Sequence, residues 1–319
     1  MLKQSIATKS ALLTKTNFRG YDTCLNPYVG CQFGCKYCYV RFFVKDEEKE
    51  WGDFVRIRDH LNEKLPKEIE KGYIRIANGK IKKPDGTSQT LFKTIPNEQN
   101  RLVLGTMTDP YMPIERKHRL TRTALQHLSK AGYKKIGIFT RSPIVLDDLE
   151  IIKTLPNARI HYSITPYEPE ILHMLEPIAI KTERRWETIK KIKEAGVKVN
   201  VNIAPCIPLY SDQLIDEFCK KLAEAKVDEF FLDPIQAYDQ SFKATKEALQ
   251  NHEQWAKAET IILDKHEFLE WKQEYHDRWK EAWKNNDNNY TLPIWCDHVN
   301  HVWQNLSTGE ALNPRRYND

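Results

Sequence analysis

The sequence predicts an α/β chain built as a partial (β/α)6 TIM-type barrel, and three observations point there. Short apolar runs alternate with helical patterns along most of the 319 residues, the order expected of parallel β/α units. The helical patterns at 117–132 and 183–196 close on Ala-Gly just before the next strand, at Gly132 and Gly196, a helix stop signal. The strands are also two-faced. In 197–204, Val199, Val201 and Ile203 oppose Lys198, Asn200 and Asn202, and in 158–165, Ile160, Tyr162 and Ile164 oppose His161, Ser163 and Thr165. A flat sheet covered by helices on both sides reads as continuous apolar strands. One apolar and one polar face instead fits a curved sheet enclosing a polar ligand, with the site at the C-terminal ends of the strands.

In chain order, strands are expected at 25–30, 101–106, 135–140, 158–165, 197–204 and 228–234, with helices at 117–132, 183–196 and 211–225. Residues 44–100 break the alternation and read as an insertion after the first β/α unit, running from a charged stretch at 45–50 through a strand to a basic, turn-rich piece at 78–89. Residues 1–240 then form the barrel domain, and 241–319 a helical C-terminal extension packed on it. Phe268, Trp271, Tyr275, Trp279 and Trp283 recur at helical spacing, the stripe by which such a helix docks.

Composition narrows the classes. The chain is 40% hydrophobic and 29% charged, with a formal net charge of +5. That charge is too small for a whole-chain nucleic-acid binder, but it permits a local basic face, such as Lys80, Lys82, Lys83 and Lys93. No apolar run is long enough to span a bilayer, and the N-terminal residues lack the apolar core and cleavage site of a signal peptide. Seven cysteines, an odd number, argue against a secreted disulfide framework and for a cytoplasmic chain that keeps thiols for metal or catalysis.

Three of those thiols crowd one stretch, 26-NPYVGCQFGCKYCYVRFF-43. Cys31, Cys35 and Cys38 form C-x3-C-x2-C, and three chemistries compete for it. Structural zinc wants four ligands, usually as two separated pairs; Cys24 or a histidine would have to complete it. A redox dithiol uses Cys35 and Cys38 and leaves Cys31 idle. An iron–sulfur cube held by three thiolates leaves one iron open to a substrate or cofactor.

The spacing, with Tyr37 just before the last cysteine, resembles the signature of the radical S-adenosylmethionine superfamily. Further segments are similar to its spore photoproduct lyase-related branch: the cluster loop 26–41, GTMTDPYMPIER (105–116), TRSPIVLDDLE (140–150), LEPIAIKTERRWETIKKIKEAGVKV (175–199) and APCIPLYSD (204–212). The resemblance implies a [4Fe–4S] cluster on Cys31, Cys35 and Cys38, whose open iron binds S-adenosylmethionine. An external flavodoxin- or ferredoxin-like protein would supply one electron. Cleavage of the cofactor would give a 5′-deoxyadenosyl radical that takes hydrogen from the substrate.

Beside the resemblance, each residue has its own argument. Tyr37 and Tyr39 flank Cys38 and suit an adenine, or fill the barrel mouth. Thr108 and Asp109 follow the second strand, where acceptors for the cofactor's ammonium group belong; Asp109 equally suits a turn cap before Pro110. Arg141 and Ser163 end the third and fourth strands, placed for the methionine carboxylate, and the fork of Arg141 suits that task. Asn202 faces the interior toward the ribose, and the backbone at Pro205 passes the adenine. Arg185 is a further cofactor-side cation, with Glu176 as its structural salt-bridge partner.

The chain also departs from the branch. Arg141 stands where a lysine is common, which keeps the charge but alters its reach. Spore photoproduct lyases return a hydrogen atom from a cysteine between the cluster loop and the second strand, and here no cysteine lies between Cys38 and Cys206. Cys206, at the end of the fifth strand, is the candidate donor; its bland reading is a small buried hydrophobe. Cys296, His298 and His301 form a weaker metal candidate near the C-terminus. The substrate class stays open among nucleic acid, peptide and small metabolite, and the competing class of function is a zinc- or cluster-stabilised binding protein without turnover.

Overall fold

The computed structural model describes residues 2–7, 10–16, 18, 20–82, 88–235, 239–285, 294–297, 302–305 and 311–312, with backbone alone for 73–94, 239 and the segments beyond 285. Six parallel strands stand side by side in sequence order: β1 (Thr23–Leu25), β2 (Arg101–Leu104), β3 (Lys135–Thr140), β4 (Asn157–Ile164), β5 (Lys198–Cys206) and β6 (Glu229–Pro234). The alternation of strand and helix patterns places five of the six within two residues of their expected bounds.

The first strand differs. It ends at Leu25, and Tyr28–Val29 leaves the main sheet to pair antiparallel with Phe54–Ile57, which runs parallel to Lys3–Ile6. Pro27 lies between the two pieces and has no N–H for a ladder, so the strand cannot run on through it. The chain after β1 is thereby lifted off the sheet into the loop that carries the cysteines, which ends in one helical turn, α1 (Val40–Phe43).

Residues 44–100, read from the sequence as an insertion, contribute one helix packed on the next unit and strands that lie outside the main sheet. Helix α2 (Leu61–Lys71) buries Leu61, Leu65 and Ile69 and packs against α3 (Leu120–Lys130), where the helix of a first β/α unit belongs. The hairpin of Tyr73–Lys82 with Ser88–Ile95 forms a two-stranded sheet of its own. The basic patch at Lys80, Lys82, Lys83 and Lys93 lies outside the described side chains.

The sheet is strongly curved, because interior side chains meet across strands that a flat sheet would hold apart. Tyr21 precedes β1, three strands from β4, or about 14 Å in a flat sheet. Yet its hydroxyl is 2.6 Å from Nε2 of His161 on β4. It reaches there over β3, where a Cβ on Gly137 would lie 2.1 Å from the Tyr21 hydroxyl oxygen. His161 stacks on Phe139 at 4.3 Å and approaches Phe231 at 6.4 Å, closing the middle of the enclosed space. Burial, helped by the charge of Arg159, pushes the imidazole down to about 3, so this plug carries no charge. Nearer the strand starts, Arg159 donates to Glu229 at 2.6 Å and to Asn200 at 3.1 Å. The polar face read from the sequence is thus closed by its own partners at the bottom.

Outside the sheet, α4 (Thr182–Glu194) and α5 (Ile215–Glu224) cover the apolar faces, and α6 (Asp239–Leu249) follows β6. The aromatic stripe docks as expected: α7 (Lys265–Asn285) buries Trp271, Tyr275, Trp279 and Trp283, and Phe230 of β6 meets Trp279 at 5.4 Å and Trp283 at 5.2 Å. Among the described residues, the last helix of the extension ends at Asn285. Beyond it, Ile294–Asp297 pairs parallel with β6, and Val302–Asn305 and Ala311–Leu312 continue the sheet antiparallel. The run Asn286–Asn289 and Pro293 break the helical pattern, and Ile294, Trp295, Val302 and Trp303 have the β-branched and aromatic character of strands. Among the described residues no helix is long and apolar enough to cross a membrane.

Candidate active site

The loop after β1 carries Cys31, Cys35 and Cys38, all free thiols, with Cys31 and Cys35 buried and Cys38 partly exposed. Side chains from both segments, Thr108 among them, fix this loop to the segment after β2. Asn26 accepts from the Met107 amide at 2.9 Å, Gln32 accepts from the Ile114 amide at 2.7 Å, and Thr108 donates to the Gly30 carbonyl at 2.5 Å. Tyr28 donates to buried Glu115, which also accepts from the Thr121 amide at 3.0 Å. Four of these five bonds cross from one β/α unit to the next, so the segment after the second strand determines where the thiols stand.

The back of the loop rests on residues 51–54. Gly34, at φ +61, lies so close to Gly52, at φ +109, that a Cβ on Gly34 would sit 3.1 Å from the Gly52 Cα. We therefore expect Gly34→Ala to cost about 1–2 kcal/mol from the left-handed backbone alone, plus displacement of the loop. Denaturant unfolding checks the first effect. Iron retained per chain after anaerobic reconstitution checks the second, and it should fall in the variant.

Behind the cysteines lies a buried ionic hub that the sequence shows only as a salt bridge. Glu176 accepts from Tyr37, from Arg141 at 2.7 Å, from Thr165 at 3.3 Å and, on its other oxygen, from Arg185. Arg141 also donates to the Tyr37 hydroxyl at 2.7 Å and its guanidinium lies 5.6 Å from the Tyr37 ring centre. One carboxylate thus binds together the cysteine loop, the end of β3 and α4. Burial alone would raise its pKa, but Arg141, Arg185 and the Tyr37 hydroxyl hold it down at about 2.

The other expected contacts divide into used and open groups. Asp109 accepts from the Thr140 hydroxyl at 2.7 Å, the Tyr111 amide at 2.8 Å and the Arg141 amide at 2.9 Å. Three of the roughly four acceptor positions of a carboxylate are therefore spent joining the turn after β2 to the end of β3. Arg185 sits one layer back, 1% exposed beneath Glu176, with its Nε donating to the Ile180 carbonyl at 3.0 Å. Tyr39 is 46% exposed and donates to the Thr106 carbonyl at 2.5 Å. The Pro205 carbonyl accepts from Tyr167 at 2.5 Å. Ser163 and Asn202 are register partners on β4 and β5, partly exposed, and their side chains make no hydrogen bond among the described residues.

Cys206 is where the structure departs furthest from expectation. A register shift between Ile203 and Cys206 turns the end of β5. The thiol is fully buried in the core, donates to the Ile203 carbonyl at 3.3 Å and meets Tyr275 of α7. Cys206 ends β5 as expected, but its thiol is turned into the core against α7, which fits the reading of a small buried hydrophobe. Cys219 is likewise a buried core residue of α5. The grouping of Cys296, His298 and His301 falls outside the described side chains.

The donor set fits an iron–sulfur cluster. Burial pushes the thiols of Cys31 and Cys38 up and that of Cys35 up to about 12. The protein by itself therefore favours neutral thiols, and the charge of bound metal is what makes thiolates there. Cys24 does not complete a zinc tetrad, since it is turned to the Thr14 hydroxyl at 3.2 Å. Among the described residues no three His, Cys, Asp or Glu side chains converge on one ion; three thiolates on three different irons do not require that convergence.

The comparisons with known proteins agree with this geometry. Residues 90–222 match the Radical SAM superfamily. The match begins after the cysteine loop and covers β2 to α5. The chain is 29% identical over 197 residues to the uncharacterized protein MJ0683 of Methanocaldococcus jannaschii, covering 61% of this chain and 64% of that one. It is 29% identical over 215 residues to the uncharacterized protein ORF301 of Acidianus two-tailed virus, covering 65% of each. The chain thus spans less than two thirds of the length of these relatives. Among solved structures, a spore photoproduct lyase variant with dinucleoside spore photoproduct superposes with a TM-score of 0.55 at 15% identity, over 78% of this chain and 66% of that one. A variant of the same enzyme with bound AdoMet and the dinucleoside gives 0.54 at 14%, over the same shares.

Residues 90–222 are thus similar to the radical SAM superfamily, and the fold is similar to that of spore photoproduct lyase. Proteins of that superfamily use a [4Fe–4S] cluster and S-adenosylmethionine.

Proposed function

We propose that the protein is an S-adenosylmethionine-cleaving enzyme whose cluster is held by Cys31, Cys35 and Cys38. The observation that carries this reading is the placement of three thiols on the loop after β1, tied through Tyr37 to Arg141 and Glu176. A cluster held there would supply the electron for reductive cleavage of S-adenosylmethionine to methionine and a hydrogen-abstracting 5′-deoxyadenosyl radical.

The chain's own residues position and shield. Only one terminal nitrogen of Arg141 is committed to Tyr37 and Glu176. The rest of its fork is left to hold the methionine carboxylate, and Glu176 fixes its direction. Asp109 retains one acceptor position for the ammonium group. Ser163 and Asn202 offer a hydroxyl and an amide above the plug of Tyr21, His161 and Phe139, and suit the polar parts of the cofactor. The plug excludes water from below, which a carbon radical requires.

The test is anaerobic reconstitution, reduction with dithionite and addition of S-adenosylmethionine. We expect 5′-deoxyadenosine and methionine to form in equal amounts. A fully reconstituted, reduced protein that forms neither would refute the reading and favour a binding role for the cysteine loop.

A further inference from the structure

The ionic hub behind the cysteines is held against the middle one of the three. The Leu175 carbonyl accepts from the Lys36 amide at 2.9 Å, and a Cβ on Gly34 would lie 3.7 Å from the Pro177 ring. Leu175 and Pro177 flank Glu176, and Gly34 and Lys36 flank Cys35, so Glu176 and Cys35 stand on facing stretches of backbone. Both are buried, at 1% and 5% exposure.

Three ionic side chains meet in the hub: Glu176 is paired with both Arg141 and Arg185, which leaves a surplus of one positive charge. Besides the neighbouring Cys38, these three are the charges that act most on the Cys35 thiol. Asp109 acts on Cys31 instead, and Arg41 joins Arg141 at Cys38. The partners of Arg185 are Glu176 and the Ile180 carbonyl, neither of them on the cysteine loop. Water and salt screen such buried charges little, and a buried surplus is costly until the opposite sign meets it. The cysteine loop supplies that sign once metal has made its thiols into thiolates.

We propose that Arg185 and Glu176 set the reduction potential of the cluster on Cys31, Cys35 and Cys38, with Arg185 favouring the reduced form and Glu176 opposing it. The proposal rests on the cluster assignment above. The step concerned is the gain of one electron by the cluster from an external donor, which loses one; no bond is made or broken and no proton moves. The reduced cluster is one unit more negative, so a buried positive charge beside Cys35 stabilises it, and surrounding charge is one of the levers on such potentials. Asp109 and Arg41 stay the same when the hub is changed, so substitutions at Arg185 and Glu176 isolate its contribution. Both are positioning residues, acting on the cluster through the field they create and through Arg141 and Tyr37. If Arg185 served only to hold α4 to the hub, its loss would loosen the structure and leave the potential where it was.

The experiment is a redox titration of the anaerobically reconstituted parent and of its Arg185→Met, Arg185→Lys and Glu176→Gln variants. Iron and sulfide are counted per chain, and the reduced cluster is followed by electron paramagnetic resonance. At the potential where the parent cluster is half reduced, the ratio of reduced to oxidised cluster should be about tenfold lower in Arg185→Met and about tenfold higher in Glu176→Gln. For a one-electron couple each is a shift of about 59 mV, in opposite directions. Arg185→Lys keeps the charge and should titrate with the parent. Loosening of the site would move both variants the same way, so shifts of one sign, or none, overturn the proposal. Where Arg185→Met does not fold, Glu176→Gln decides alone, and a cluster no easier to reduce than the parent's overturns the proposal. A parent that retains no iron and sulfide refutes the cluster assignment and this proposal with it, whereas a cluster of unmoved potential refutes this proposal only.

Discussion

Glu176→Ala is expected to destabilise the protein by about 3–5 kcal/mol, the usual cost of removing one partner from a buried ion pair. Glu176 and Arg185 are each 1% exposed, and the alanine variant leaves Arg185 and Arg141 as facing cations with no counter-charge. Glu176→Gln keeps the shape and an acceptor oxygen, so it should fall between the two. The carboxyl is held at about 2, below its ordinary 4.5, because the two arginines outweigh the effect of burial. A depressed folded-state value makes the contribution complete above about pH 4.5 and lost as pH falls toward 2. The parent should therefore lose stability across that window, and Glu176→Gln should lose correspondingly less. Denaturant unfolding near neutral pH and at about pH 3 reads both effects. An alanine variant within about 1 kcal/mol of the parent would show that the hub is dispensable.

The second large effect is on the cysteines. If the proposed assignment holds, alanine at Cys31, Cys35 or Cys38 would remove one of three thiolates from a cluster that has no fourth protein ligand on this loop. Each substitution is expected to abolish iron and sulfide retention after reconstitution and, with it, cleavage of S-adenosylmethionine. The fold should survive, since buried free cysteines behave as small hydrophobes, and the far-ultraviolet spectrum of each variant should match the parent. Cys206→Ala is the contrast. Its thiol lies in the core against Tyr275, so this variant should keep its iron and its cofactor cleavage. Loss of cleavage in Cys206→Ala with the cluster intact would restore that residue to the chemistry.

β4 and β5 were legible because apolar and polar residues alternate within them, β2, β3 and β6 because they are short apolar runs between helical patterns, and Gly132 and Gly196 mark the helix ends. The cysteine loop was legible because thiols at that spacing have few other uses. What escaped the pattern is long-range. Nothing local in 44–60 shows that Phe54–Ile57 pairs with Tyr28–Val29, or that Gly52 faces Gly34, since both contacts join pieces about 20 residues or more apart. Glu176 read as a simple salt bridge because its partners Tyr37, Thr165, Arg141 and Arg185 come from four separate segments. Cys206 was legible as the end of β5, but the direction of its thiol was not, because strand alternation stops counting correctly at the register shift after Ile203. In the C-terminal extension, the aromatic stripe up to Trp283 outweighed the break signals at Asn286–Asn289 and Pro293.

The central claim is that the three thiols hold a cluster whose open iron takes S-adenosylmethionine. Electron paramagnetic resonance of the anaerobically reconstituted, reduced protein, recorded with and without S-adenosylmethionine, tests it most directly. The account predicts the signal of a reduced [4Fe–4S] cluster whose line shape changes when S-adenosylmethionine is added. A protein that takes up only zinc and gives no signal, or a cluster signal that S-adenosylmethionine leaves unchanged, would contradict it.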